Sequence, residues 1–152
     1  MSPRRIALLV IALVAAVVVG LWIHRSDAEQ VRDAADAIVE AANQGPSELA
    51  HALEQHATQD VTMIVSDLPE PLVGRSALVR AASRTPGGRK LSFRMQGVEI
   101  SVEGSNARLN ADLVATLQLG LRGLSRTRSG VALFQKIDGR FRLVSAEVGA
   151  ER

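Results

Sequence analysis

The chain has 152 residues, 47% of them hydrophobic and only 3% aromatic, with 18 lysines and arginines against 16 acids and neither cysteine nor tyrosine. That length suits one domain, and the missing cysteine excludes disulfide scaffolds, thiolate metal sites, thiol nucleophiles and lipoprotein acylation. Arg4, Arg5 and Arg25 precede the first acid, Asp27, so the other 15 basic residues stand against all 16 acids and the body is near neutral, without the positive patch and stacking aromatics that a nucleic-acid partner requires.

Much of the hydrophobicity sits at the N-terminus, where Ile6 to Ile23 reads IALLVIALVAAVVVGLWI without one charged side chain. As a helix rising about 1.5 Å per residue it reaches about 27 Å, close to the thickness of a bilayer's hydrocarbon core. Each central Leu, Ile or Val favours insertion by about 0.3–0.6 kcal/mol. Trp22 and His24 follow at one interface. Arg4 and Arg5 outweigh Arg25 with its neighbours Asp27 and Glu29, which places the N-terminus in the cytoplasm under the positive-inside rule. The expectation is a transmembrane signal-anchor over residues 1–25, with the lipid bilayer around residues 6–23. The chain would then be a single-pass protein of the cell inner membrane, its domain of residues 26–152 outside the cytoplasm. A cleaved signal peptide, with Ser26 and Ala28 as the small residues of the cleavage site, gives the same side. Its apolar core is normally about 7–15 residues, shorter than this run.

Past the membrane, Ser26 and Glu29 form a capping box. Val31, Ala34, Ala35, Ile38, Val39 and Ala42 recur at helical spacing, with Asp33, Asp36 and Glu40 on the other face, so an amphipathic helix is expected from Ser26 until Gly45 and Pro46 stop it. Ser47 caps a second, shorter helix that buries Leu49 and Leu53 and reaches His56, giving a helical hairpin with a short turn. From Asp60 the period changes to two, with Val61, Met63 and Val65 on one face, until the prolines of LPEP at 68–71 end the strand. A loop leads to Gly74, Ser76 starts a third helix holding Leu78, Val79 and Ala82, and TPGG at 85–88 makes a turn. Leu91, Phe93 and Met95 alternate with polar residues up to Gly97, where the apolar parity flips to Val98, Ile100 and Val102, the mark of a bulge or bend. After a turn at 103–106, Ala107, Leu109, Ala111, Leu113, Ala115 and Leu117 share one face of a long strand. A strand from Arg126 to Lys136, an Asp138-Gly139 hairpin turn and a strand from Phe141 to Val148 complete the sheet. The predicted fold class is α+β: a cone-shaped domain of a curved antiparallel sheet covered by three helices, preceded by one transmembrane helix.

The segments DVTMIVSD at 60–67, EPLVGRSALV at 70–79 and DGRFRLVSAEV at 138–148 resemble the nuclear transport factor 2-like superfamily, which includes SnoaL-like polyketide cyclases and ketosteroid isomerases. The resemblance spans about residues 28–148. It implies a cone with a pocket between bent sheet and helices, in keeping with the flip at Gly97, and a homodimer formed through the open sheet face. It implies no single activity, because this fold hosts isomerases, hydrolases, transport adaptors and scaffolds. Matching Glu70, Pro71 and Gly74 to the equivalent loop of ketosteroid isomerases puts their general-base aspartate on Val65. Their oxyanion-hole tyrosine has no counterpart, so neither proton abstraction nor enolate stabilisation is supported by that match.

The weak catalytic candidates that remain are Asp67, just before Pro69, and Asp60, at the start of its strand; at both positions an aspartate ordinarily makes turn hydrogen bonds. Asp112, opposite the Ala/Leu stripe, suits cross-strand pairing with an arginine. His51 and His56 are five apart, about 140° around a helix, and make no two-ligand face. Arg122, Arg126 and Arg128 read as solvated strand or loop positions. HExxH, phosphate-loop, GxGxxG and GxSxG patterns are absent, and neither a metal nor a cofactor is expected. Met63, Val65, Phe93, Met95 and Leu113 are the expected lining of any ligand pocket, with a filled core preferred over an open one. The functional expectation is a non-catalytic binding or assembly module, as a homodimer or with a partner protein in a membrane complex. The alternative is a SnoaL- or ketosteroid isomerase-like enzyme acting on a hydrophobic small molecule through Asp67 or Asp60.

Overall fold

The helix expected to begin at Ser26 does not begin there. In the computed structural model, which describes residues 3–84 and 90–151 with side chains at 10–19, 27–84 and 91–149, helix α1 runs unbroken from Pro3 to Gln44. At about 1.5 Å per residue it is about 63 Å long. Ser26 therefore marks no helix start: the backbone ahead of it is already helical and supplies carbonyl acceptors for the N–H groups that would be unpaired at a helix start. Among the described residues no helix is long and apolar enough to cross a membrane. Of the run at 6–23 that carries the membrane expectation, only 10–19 have described side chains; Arg4, Arg5, Trp22 and His24 lie outside them.

Gly45 alone, at φ 146°, separates α1 from α2 (Pro46–His56), whose first residue is Pro46; Ser47 is inside the helix and no side chain caps it. Strand β1 (Ala57–Val65) follows directly, three residues earlier than the sequence pattern suggested, and Leu72–Val73 forms a short β2 on its edge at Thr62 and Met63. Helix α3 (Arg75–Ser83) starts from Gly74, at φ 90°, not from Ser76. The turn expected at 85–88 lies outside the described residues.

The remaining strands are β3 (Lys90–Glu103), β4 (Asn106–Leu119), β5 (Arg122–Ile137) and β6 (Arg140–Glu151), in a six-stranded sheet of order β2-β1-β6-β5-β4-β3. The sheet is mixed, not antiparallel throughout: β1 pairs parallel to β6, with Met63 beside Ala146 and Val65 beside Val148. Parallel neighbours need a long crossover, and here α3 and the four strands β2 to β5 supply it. The parity flip at Gly97 is a bulge. Gln96 faces Asp112 and Glu99 faces Asn110, so Gly97, at φ 62°, and Val98 together oppose Ala111. Strand β5 starts four residues before Arg126, because Leu117 and Leu119 continue their ladder to Leu124 and Arg122.

The helices cover one face of this sheet. The core joins Val31 and Ala34 of α1, Leu49 and Leu53 of α2, and Leu78 of α3 to Val61, Ala107, Phe134, Phe141 and Leu143 of the strands. Two contacts set the course of α1. At its base, Lys136 Nζ lies 3.4 Å from Asp27 Oδ1 and 5.6 Å from the Phe141 ring centroid. At its end, Asn43 Nδ2 donates to the Phe93 carbonyl at 2.8 Å while the Phe93 N–H donates to Asn43 Oδ1 at 2.6 Å. Phe93 is on an edge strand, whose outward backbone groups have no strand partner, and the asparagine amide takes that role. Helix α1 therefore crosses the sheet from the β5–β6 hairpin to β3.

A small apolar cavity between helix α1 and the sheet

Between α1 and the sheet lies a cavity of about 130 Å³. The register explains it. Met63, Ala146, Ala132 and Leu109 form one row across β1, β6, β5 and β4, and Val65, Val148, Gly130 and Ala111 form the next. Three alanines and a glycine at the centre of these rows leave space that Ala35, Ile38 and Val39 of α1 border without filling. The filled core expected from the Ala/Leu stripe is therefore incomplete at this point. The space is close to a cavity of about 150 Å³ that stays dry and binds benzene.

Of the expected lining residues, Met63, Met95 and Leu113 border the cavity and Val65 and Phe93 do not. Among the described residues, Glu147 is the one ionisable residue of the wall. It stands between Ala146 and Val148, and alternation along the strand sends its side chain to the other face.

The catalytic candidates lie elsewhere. Asp60 is exposed, precedes the inward Val61, and its carbonyl accepts from Thr62 Oγ1 at 3.3 Å. Asp67 is in a turn closed by the Leu68 N–H donating to the Val65 carbonyl at 2.9 Å, and its carboxylate accepts a hydrogen bond from Arg128 Nη2. Arg128 is thus not a solvated strand residue. Its side chain is 21% exposed against 61% for Asp67, and it sits directly opposite Leu113, which places it on the concave face one row beyond the cavity. Nothing local in the sequence separates Arg128 from Arg126 or Arg122. The β4–β5 register puts all three opposite odd residues of β4, at Leu113, Ala115 and Leu119, and only position along the strand, nearest the cavity wall, sets Arg128 apart.

Asp112 is half-buried between its cross-strand neighbours Gln96 and Ser129. His51 is exposed and meets Gln55 Nε2 at 3.2 Å. Burial of His56 at the end of α2, then the charges of Arg142 and Arg140, hold its pKa below the ordinary 6.5. Among the described residues no cluster of His, Asp or Glu is placed to hold a metal ion. A further arginine that the sequence did not flag, Arg75, donates from Nη2 to the Ala57 carbonyl at 2.6 Å and ties the start of α3 to the start of β1.

The family model of the SnoaL-like domain matches residues 31–148, which include all the strands that border the cavity. The chain belongs to the SnoaL-like domain family. Solved structures agree on the fold. This SnoaL-like chain is similar to an NTF2-like protein with a cystatin-like fold from Novosphingobium aromaticivorans, at TM-score 0.72 and 18% identity over 89% of this chain and 86% of that one. It is similar to the CaMKII hub of S. rosetta, at TM-score 0.69 and 15% identity over 82% and 96%. It is also similar to a ketosteroid isomerase-like protein from Erwinia carotovora atroseptica, at TM-score 0.63 and 13% identity over 81% and 95%. At such identities the likeness is one of fold alone. No curated protein matches the chain by sequence.

Proposed function

We propose that this chain is a non-catalytic binding module, a SnoaL-like domain over residues 26–152 that takes a small apolar molecule into its cone. We place it outside the cytoplasm, tethered to the cell inner membrane by its N-terminal helix. The observation that carries the binding reading is the cavity wall: its inward side chains are apolar, and neither Asp60 nor Asp67 borders it. Proton transfer needs a base within about 2.6–3.2 Å of the reacting atom, directly or through one water. The tether is supported by Val10, Ile11, Leu13, Val14, Val17, Val18 and Val19, each more than half exposed. A helix apolar on all sides needs lipid or other apolar elements around it. Ile64 and Leu133 are exposed on the convex face, and that surface suits a second copy of the chain; the likeness to the CaMKII hub favours the same self-association. The likeness to a ketosteroid isomerase-like protein favours a second reading, an isomerase or cyclase acting on a hydrophobic small molecule. That reading requires Asp67 to leave Arg128 and enter the cavity.

Two chromosomal variants separate these readings. Ala132→Leu fills the cavity and is expected to reproduce the phenotype of deleting the gene, whereas Asp60→Asn with Asp67→Asn is expected to leave the phenotype intact. The reverse pattern would establish the enzyme. For the tether, the full chain should sediment with membranes and be cleaved by protease added from outside, and removing residues 1–25 should release the domain. A full chain that stays in the cytosol would sink that part.

A further inference from the structure

The cavity has a charge at its mouth that an apolar ligand would not use. Arg128 faces Leu113, a wall residue, and lies two residues along β5 from Gly130, also in the wall, about 7 Å away in an extended strand. Its guanidinium is the planted half of an unequal pair, 21% exposed on a strand, while Asp67 is 61% exposed on a turn beyond Val65. An ion pair with so exposed a partner contributes little to stability, typically about 0–1 kcal/mol, so the acid is easily exchanged. The guanidinium keeps a planar set of donors shaped for a carboxylate. Asp67 thus occupies the place that a ligand's carboxylate would take, on an arginine whose cross-strand neighbour Leu113 and strand neighbour Gly130 both border the apolar space.

We propose that the site selects small amphipathic anions: a monocarboxylate whose carboxylate replaces that of Asp67 on Arg128 while an apolar part of about six carbons enters the space beside Ala111, Gly130 and Met95. The size follows from the cavity volume of about 130 Å³, near that of a benzene-binding cavity. This rests on the reading of the cone as a ligand site and adds to it the charge and length of the ligand. A longer chain would have to run out along the concave face past Arg126.

The probes are hexanoate and 1-hexanol, titrated into the full chain in phosphatidylcholine nanodiscs and read from the methyl carbon signals of Met63 and Met95. Both methionines border the cavity, and the only other one is Met1. Hexanoate should shift both signals and bind at least about tenfold more tightly than hexanol, the gain expected from one hydrogen-bonded charge contact. Arg128→Gln should remove that preference by weakening hexanoate alone, and Asp67→Asn should tighten hexanoate severalfold with hexanol unchanged. If Arg128→Gln does not fold, Asp67→Asn decides. Equal binding of the two probes, or hexanoate affinity unmoved by Asp67→Asn, overturns the anion proposal and leaves an apolar binding site. If neither probe moves Met63 or Met95, the ligand site itself is lost.

Discussion

At one end, beside the β5–β6 hairpin, the domain is filled. Phe134 and Phe141 stand on neighbouring strands, Leu53 of α2 and Val61 of β1 complete the packing, and none of the four is more than 4% exposed. A few residues along, the same strands carry Ala111, Gly130, Ala132 and Ala146 around a cavity, and the wall gives way to an ion pair on an exposed turn. The pairing of β4 with β5 runs without a register shift from one end to the other, but the bulge at Gly97 opposes Ala111 and the pairing of β5 with β6 shifts between Arg128 and Gly130. Small side chains and irregular backbone meet at the cavity. The contrast teaches that the fold packs fully at one end and leaves space at the other, with Leu109, Phe134 and Leu143 shared between core and cavity wall.

Truncation is the strongest way to break that contrast. Leu53→Ala, at 2% exposure, should cost about 2–5 kcal/mol in urea denaturation. Met95→Ala, half-buried beside space that already exists, should cost less than about 2 kcal/mol, because fewer contacts are lost and no new enclosed void forms. Equal losses at the two sites would mean that the ends are not distinct. Gly130→Ala sharpens the same point. A Cβ there would meet the Glu147 carbonyl oxygen at 3.6 Å and that of Ala111 at 3.7 Å, ordinary contacts. Stability should hold or rise by about 0.4–1 kcal/mol, while the methionine shifts produced by hexanoate shrink. Destabilisation by this added methyl would show that the cavity is needed for folding.

The filled end was the more legible in sequence. Leu53 and Val61 follow helical and strand periodicity, and the Asp138-Gly139 turn fixes where the hairpin falls. What escaped needed distant partners. The parallel pairing of β1 with β6 joins segments about 80 residues apart, and periodicity within a segment does not say which neighbour it takes. The merging of the apolar run with the domain helix escaped for another reason. A capping box at Ser26 marks a possible start, and whether it is used depends on what precedes it. The site was the least legible, since a cavity is a property of facing rows. Val65 and Phe93 share the parity of Met63 and Met95, yet Phe93 lies a row beyond the wall and Val65 lies on β1, at the far end of a row whose Val148, Gly130 and Ala111 do border it.

Charge at the closed end offers a smaller test. Lys136→Met keeps the stem against Phe141 but removes the ion pair to Asp27 and the cation above the ring, an expected loss of about 1 kcal/mol. High salt should reduce the difference between variant and wild type, and a difference independent of salt would assign the effect to packing.

The smallest effect should come from His56, where α2 gives way to β1. Burial, then Arg142, then Arg140, hold its pKa below 6.5 in the folded chain. As pH falls, the unfolded chain therefore takes up this proton before the folded one does. The stability contributed by neutral His56 is present above about pH 6.5 and is lost as pH falls from there through the folded pKa. His56→Gln has no proton to gain, so its urea midpoint should fall less than that of wild type between about pH 7.5 and 5.5. Carboxylates contribute to both chains and cancel in the comparison. Equal falls would mean that His56 is as free to ionise in the folded chain as in the unfolded one. The charges of Arg142 and Arg140 would then be screened at the end of α2, although Arg142 Nη1 donates to the Glu54 carbonyl at 3.3 Å.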